Sequence, residues 1–222
     1  MTIKRRGDRG YWPDAYVGKR QSASRAIHRI KRGQRVFIGS SCGEPQALVR
    51  ELAAQFENFT DLEIVRILSL ETTPLTDIAD KTASQSFNIR SFYLGSGKPK
   101  ALSRTKRFIT PINLSAIPRL FESRQLPIHV ALIQVSEPDD FGWMSLGVSV
   151  DVTIAAARSA DMVIAQVNPR MPRVMGRSFI HVDEVAPNVA MATCLRSRRG
   201  LTSRENPRPA AHEIRGLDSL NP

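Results

Sequence analysis

Cysteine is nearly absent: the 222-residue chain holds two, Cys42 and Cys194, far apart in sequence. That excludes a disulfide framework and a cysteine-rich zinc site, and it suits a reducing cytoplasm. The four histidines, His28, His129, His181 and His212, lack ligand spacing, so no metal site is expected. His129 and His181 lie in apolar runs and read as hydrogen-bonded structural histidines rather than bases. No Gly-x-Gly-x-x-Gly opens a helix and no Walker lysine motif occurs, which leaves dinucleotide and ATP chemistry unsupported. No apolar run approaches the length of a membrane span, and no apolar h-region follows the basic amino terminus, so neither a spanning helix nor a secretory signal is read. Internal repeats and low-complexity segments are missing too.

Acidic residues are the scarcer charge, 21 against 32 Lys+Arg, for a net +11. The imbalance is not uniform. Lys+Arg against Asp+Glu is 11 to 2 over residues 1–35, 15 to 16 over 36–190 and 6 to 3 over 191–222. The presumed core is therefore near neutral, and the excess sits in Lys4-Arg5-Arg6, Arg29-Ile30-Lys31-Arg32 and Arg196-Ser197-Arg198-Arg199. Basic arms contact phosphate backbones without sequence preference. With no zinc-finger, RNP or helix-turn-helix pattern beside them, solvated flanks are the favoured reading and a nucleic-acid partner is not expected.

What is present is strand and helix in alternation. Ile128–Val135 is apolar and β-branched, as a strand buried on both faces of a parallel sheet must be. Ser136–Gly142 breaks it, with Pro138 lacking a donor and Gly142 free to take positive φ. Val150, Ile154 and Ala157 recur at helical spacing, and Met162–Val167 is the next strand. Strand, crossover helix and strand make a βαβ unit, whose loops emerge at the sheet edge where open α/β folds bind ligands. Earlier, Ser22 offers an N-cap to a short helix that Gly33 ends. Arg35–Gly39 is the first strand, and a small-residue loop to Pro45 precedes a helix with Leu48, Leu52 and Phe56 on one face. Its amino terminus offers backbone N–H groups to an anion. Leu62–Leu68 and Asn88–Leu94 are further strands, the latter ending at Gly95-Ser96-Gly97, and Phe108-Ile109-Thr110-Pro111 leads into a helix with Ile117, Leu120 and Phe121. The expectation is one open, mostly parallel α/β sheet with helices on both faces.

Two segments carry a resemblance. Ala131–Asp139 with Gly142 and Ser145–Asp151, then Val163–Pro172 with Gly176 and Ser178–Val182, resemble the amino-terminal half of the acetyl-CoA hydrolase/CoA-transferase family, including its 4-hydroxybutyrate and acetate CoA-transferases. The likeness runs from about Ser22 to about Val185, and relatives carry Glu-His where this chain has Asp140-Phe141. It implies a NagB/RpiA/CoA-transferase-like fold, coenzyme A as a substrate with no permanently bound cofactor, and acyl-CoA and a small carboxylate as partners. The candidate CoA-loop residues are Ser41, Gly43, Pro45, Ser136, Pro138, Asp139, Gly142, Asn168, Met171, Pro172 and Gly176. In the family, small residues of Gly39–Pro45 let an acyl or pantetheine portion approach the backbone; a tight βα turn without a ligand explains them equally.

The implied chemistry is attack of an enzyme glutamate on the thioester, giving an acyl anhydride and then a glutamyl-CoA thioester, which needs donors for the oxyanion. That glutamate belongs to the family's second half, so no catalytic residue is assigned here. Asp139 and Asp140 read as turn-forming before general-base residues, Asn168 as ending its strand or orienting an amide or carboxylate, and Cys42 as a small packed thiol. Lys98, Lys100, Arg104, Lys106 and Arg107 suit either CoA phosphates or a solvated helix face. The expected organisation is a flexible basic arm over 1–21, the family domain over 22–185, and a disordered or non-native tail over 186–222, rich in Arg, Pro and Ser. The functional expectation is an amino-terminal domain of an acyl-CoA hydrolase or CoA-transferase, incomplete without its second half or a homodimer mate. The alternative is a non-catalytic ligand- or partner-binding domain of the same fold with basic arms. A sugar-phosphate isomerase-like enzyme comes third, disfavoured by the Pro172 and Gly176 loop.

Overall fold

Runs that are apolar almost throughout form the middle of the sheet, because a strand covered on both faces has no polar side to show. The computed structural model describes residues 11–67, 87–93, 107–184 and 191–193. In chain order its elements are α1 (Trp12–Lys19), β1 (Arg20–Gln21), α2 (Ala23–Ile27), β2 (Arg35–Ile38), α3 (Gln46–Ala54), β3 (Leu62–Arg66), β4 (Phe87–Ser91), β5 (Arg107–Ile109), α4 (Ile117–Glu122), β6 (Val130–Val135), β7 (Trp143–Ser145), α5 (Thr153–Ser159), β8 (Met162–Val167), β9 (Phe179–His181) and β10 (Met191–Thr193). Short 3-10 turns lie at Ser41–Gly43, Phe56–Asn58 and Leu114–Ala116.

Eight strands form one sheet in the order β1-β10-β8-β6-β2-β3-β4-β5. Every neighbouring pair in it is parallel. All six residues of β6, the strand beside the middle, are buried. Helices cover both faces, as expected. On one face Ala26, Ile27, Leu48 and Leu52 from α2 and α3 meet Val36, Ile38, Ile64 and Leu132. On the other, Ile117 and Phe121 of α4 and Ala155 and Ala156 of α5 meet Phe37, Ala131, Ile133 and Val163. Phe121 sits edge-on to Phe37 at 5.8 Å between centroids. Glu63 locks the register of three strands, accepting from Arg35 on β2 at 2.7 Å and pairing with Arg90 on β4.

The strands expected over Arg35–Gly39, Leu62–Leu68, Ile128–Val135 and Met162–Val167 are present, the third starting at Val130, and the Ser22 cap holds: its hydroxyl accepts from Arg25 N–H at 3.3 Å. Four short features correct the sequence reading. The arm expected over 1–21 is regular from Trp12 onward, because Trp12 and Tyr16, one helical turn apart, pack against the core and Trp12 Nε1 donates to Asp140 O at 3.1 Å. Within the expected tail, β10 lies between β1 and β8, where two neighbours supply its ladder. Phe108-Ile109 belongs to the edge strand β5 rather than to a lead-in. The loops after β6 and β8 join in an antiparallel β7–β9 ribbon, Met144 facing Ile180. Lys4-Arg5-Arg6, Gly95–Lys106 and residues 194–222 lie outside the described residues.

Candidate functional site

The chain leaves β2 through β3, β4 and β5 on one side, then crosses back to β6 on the other and continues to β8 and β10. The direction of winding therefore reverses between β2 and β6, and a crevice opens outside the carboxyl ends of strands at such a reversal. Because all pairs are parallel, the loops after β2, β6 and β8 reach that same edge.

After β2, Gly39 N–H adds one rung to the ladder, donating to Leu132 O at 2.9 Å. The chain then makes the 3-10 turn, with Ser41 at φ 48°. Gly43 is there because nothing larger fits: its N–H donates to Ser149 Oγ at 3.2 Å, and a Cβ on it would stand 2.6 Å from Ser149 Cβ. Glu44 and Pro45 are buried, and Pro45 is the residue before α3. Ser40 is 2% exposed, and its hydroxyl has no hydrogen-bond partner among the described residues. Cys42, expected as a packed thiol, is exposed, since the tight turn carries it outward.

Beneath this loop runs a polar ladder that the sequence reading did not single out. Gln134 on β6 and Gln166 on β8 are register partners, both buried. Ala47 N–H donates to Gln166 Oε1 at 2.9 Å, Gln166 Nε2 to Gln134 Oε1 at 2.9 Å, and Gln134 Nε2 to Cys42 O at 3.5 Å. The available signal was the lone glutamine one residue from the end of each apolar strand. The ladder also revises the expectation of an anion at the α3 amino terminus, because Ala47 N–H goes to Gln166 and Gln46 N–H to Glu44 O.

The loop after β6 is organised around Asp139. Its Oδ1 accepts from Phe141 and Trp143 N–H at 3.0 and 2.9 Å, and its Oδ2 pairs with Arg173 at 2.7 Å. Both oxygens are engaged in building the turn, the role expected first. Asp140 is exposed. Arg173, unassigned in sequence, also donates through Nη1 to Trp143 O at 3.0 Å and to Ser136 Oγ and Glu137 O at 3.3 Å, and it lies over the Phe179 ring at 5.1 Å. Ser136 Oγ further accepts from Ser145 N–H at 2.9 Å. Gly142 has φ 82°, and a Cβ there would stand 2.7 Å from His181 Nε2. His181 is a structural histidine as read: Nε2 faces Phe141 O at 2.8 Å and Nδ1 accepts from Asp183 N–H at 3.1 Å. So is His129, whose Nδ1 accepts from Arg35 N–H at 2.8 Å.

After β8, Asn168 Oδ1 accepts from Arg170 N–H at 3.0 Å, which ends the strand in a side-chain-capped turn. Met171 is buried against Gly147: at φ 60°, a Cβ on Gly147 would collide with Met171 Sδ and stand 2.9 Å from Pro172 O. Gly176, at φ 90°, faces open space. The segment Gly147–Ser149 is thus a clasp, touching Met171 at one end and Gly43 at the other. Of the expected residues, Ser41, Gly43 and Pro45 sit in the loop after β2, beside the reversal. Asn168, Met171 and Pro172 are joined to it through the clasp. Ser136, Asp139 and Gly142 support the β7–β9 ribbon. Among the described residues no group of three His, Cys, Asp or Glu side chains stands ready for a metal, and no helix is long and apolar enough to cross a membrane. Two cavities stand out: one of about 530 Å³ beside Arg20 and Arg25, and one of about 250 Å³ lined by Asp139, Trp143, Arg173 and Phe179.

An all-parallel open sheet with helices on both faces defines an open α/β domain. Residues 3–193 match the model of the acetyl-CoA hydrolase/transferase N-terminal domain, and the chain belongs to that family. It is 37% identical over 174 residues to the 4-hydroxybutyrate coenzyme A transferase of Clostridium kluyveri, covering 78% of this chain and 40% of that protein. With the succinyl-CoA:acetate/propanoyl-CoA:succinate CoA transferase of Fasciola hepatica it shares 33% identity over 184 residues, covering 82% of this chain and 36% of that protein. The crystal structure of a 4-hydroxybutyrate CoA-transferase from Porphyromonas gingivalis superposes with a TM-score of 0.62 at 26% identity, covering 82% of this chain and 41% of that one. The chain thus spans about two fifths of the length of the relatives it matches.

Proposed function

We propose that this chain forms the amino-terminal wall of a site that moves CoA from an acyl-CoA to a carboxylate such as acetate, or to water. The observation that carries the reading is the clasped set of loops at the β2–β6 reversal, where Gly43 is held against Ser149 above the buried glutamine ladder. Small residues there leave the backbone approachable, and the ladder keeps it from moving when a ligand arrives. The names of the relatives, which pair CoA thioesters with carboxylates, support the same reaction class.

In the mechanism that the resemblance implies, a glutamate attacks the thioester carbonyl and CoA leaves as thiolate. The thiolate then attacks the glutamyl carbonyl of the anhydride, releasing the donor carboxylate and leaving a glutamyl-CoA thioester; an acceptor carboxylate reverses these steps to form its own acyl-CoA, or water hydrolyses the thioester to restore the glutamate and release CoA. The glutamate comes from the remaining three fifths of the relatives' length, delivered by a second domain or a homodimer mate. Asp139 is committed to its turn and to Arg173, so it does not serve as the nucleophile. A second reading, a non-catalytic ligand-binding domain of the same fold, draws support from the cavity of about 530 Å³, which is lined by residues of α1, β1, α2 and the turn after α2 rather than by the three loops.

The test is thioester loss from acetyl-CoA by the purified chain, with and without succinate or acetate, followed by ultraviolet absorbance and product identification. The expected result is no turnover by the folded chain alone, together with an acetyl-CoA-dependent rise in its thermal midpoint. No binding at millimolar acetyl-CoA would leave the non-catalytic reading. Turnover abolished by Asp139→Asn or Asp140→Asn would place the catalytic carboxylate inside this chain and overturn the division of labour.

A further inference from the structure

The cavity of about 530 Å³ is lined by Gly18, Arg20, Gln21, Ser24, Arg25, His28 and Arg29, and among the described residues no carboxylate lines it. We propose that it is a binding site for a small ligand carrying clustered phosphates, of nucleotide di- or triphosphate size, separate from the proposed transfer edge. Its volume falls within the range of about 300–1,000 Å³ typical of small-molecule sites.

The charge there is placed, not incidental. Arg25, His28 and Arg29 have the i, i+3, i+4 spacing that puts them on one face of α2 and the turn after it. The opposite side of the same segment is fixed in the core through Ala26, Ile27 and Ile30. Ser24 is held by Gln55, whose Nε2 donates to Ser24 Oγ at 2.9 Å. Arg20 reaches the cleft from β1, whose register with Met191 and Ala192 fixes its backbone. Arg20 and Arg25 have no carboxylate partner among the described residues. Arg20 and Arg25, held in one concave site with no carboxylate partner among the described residues, repel one another, and an anion of several charges relieves that repulsion. The guanidinium fork matches phosphate oxygens in pairs, and Ser24 and Gln21 add neutral hydrogen-bonding groups.

The shape and lining favour a small molecule over a nucleic acid strand. Among the described residues the cleft is lined by no Phe, Tyr or Trp on which successive bases could stack, and single-strand binding sites depend on such platforms. β1 is four positions from β2 in the sheet, about 19 Å at a strand spacing of about 4.8 Å, so the cleft and the β2–β6 reversal are different places.

The test is isothermal titration of the full 222-residue chain at moderate salt with tripolyphosphate, ADP and adenosine as probes, repeated on Arg20→Gln, Arg25→Gln and Arg119→Gln. Arg119 is exposed on α4, outside the cleft, and controls for net charge. Circular dichroism confirms the fold of each variant, and both cleft arginines are exposed enough to be replaced without touching the core. Tripolyphosphate and ADP should bind and adenosine should not, with affinity falling about tenfold in each cleft variant, the loss expected for one charge-assisted contact, and unchanged in Arg119→Gln. Equal affinity in the cleft variants, or an equal loss in Arg119→Gln, would overturn the site. So would a short RNA that binds more tightly than tripolyphosphate and ignores the cleft variants, because the phosphate contacts would then lie elsewhere. Thioester turnover does not enter these readouts, so the proposed transfer function can fail while this site stands, and the reverse.

Discussion

Replacing Gln166 by leucine tests whether the glutamine ladder holds the β2–α3 loop. The side chain is 4% exposed and leucine nearly matches its volume, so the change removes hydrogen bonds without opening a cavity. Two groups lose their partners: Ala47 N–H, now donating at 2.9 Å, and Gln134 Oε1, now accepting at 2.9 Å. A buried polar group left unsatisfied costs about 1–3 kcal/mol, and the apolar side chain returns part of that, leaving a net loss of roughly 2–4 kcal/mol. For a chain of this size that is about 5–12 °C in Tm. Gln134→Leu strands the Gln166 amide and Cys42 O instead. The double variant removes the shared Gln134–Gln166 bond only once, so it should be less destabilised than the sum of the single variants by about 1–2 kcal/mol. Urea unfolding followed by circular dichroism measures all three, and hydrogen exchange at Ala47 should speed up in Gln166→Leu. A Gln166→Leu variant within about 0.5 kcal/mol of the parent, or strictly additive losses, would show that the ladder does not bear on the loop.

The other predictions concern the turn, the clasp and the alkaline limb. Asp139→Ala should cost about 1–2 kcal/mol by freeing two turn amides and Arg173, whereas Asp140→Ala should stay within about 0.5 kcal/mol in the same urea assay; equal effects would refute the turn assignment. Gly147→Ala combines left-handed backbone strain with a collision against Met171, about 2–5 kcal/mol, while Gly176→Ala meets open space and should cost only the backbone portion, about 1–2 kcal/mol. Burial raises the Tyr16 hydroxyl above its ordinary 10.0, so above pH 10 the folded chain keeps a proton that the unfolded chain has lost, and stability falls as pH rises through that window. Lys19, lowered from 10.5 by burial, acts in the opposite sense, its folding penalty easing as pH rises toward 10.5. Tyr16→Phe should therefore show a shallower alkaline loss than the parent in unfolding measured from pH 9 to 11, and a parallel profile would contradict the assignment.

The long strands were legible because burial on both faces leaves a strand no choice but a continuous apolar run. β6, β8 and, after Arg35, β2 show that pattern in residue order alone, whereas β3 alternates, with Glu63 and Arg66 only partly buried. The loops that reach the proposed transfer edge were legible for a related reason: Pro138, Gly142, Pro172 and Gly176 mark where such runs must stop. The short strands were not. β1, of two residues, and β10, of three, have too little length to show a period, and they are strands because each meets a neighbour's free ladder. The sequence also left open the meaning of its lone polar residues. Gln134 and Gln166 are 32 positions apart, and parallel register makes them partners; Asp139 and Arg173 meet because the β7–β9 ribbon folds one loop onto the other. Residue type and local spacing thus determined which segments are strand, helix or turn, since those depend on a few neighbours along the chain. Strand order, the position of the β2–β6 reversal and the gathering of Arg20 with Arg25 and His28 were decided by tertiary structure, because they depend on which distant surfaces the chain buries against each other.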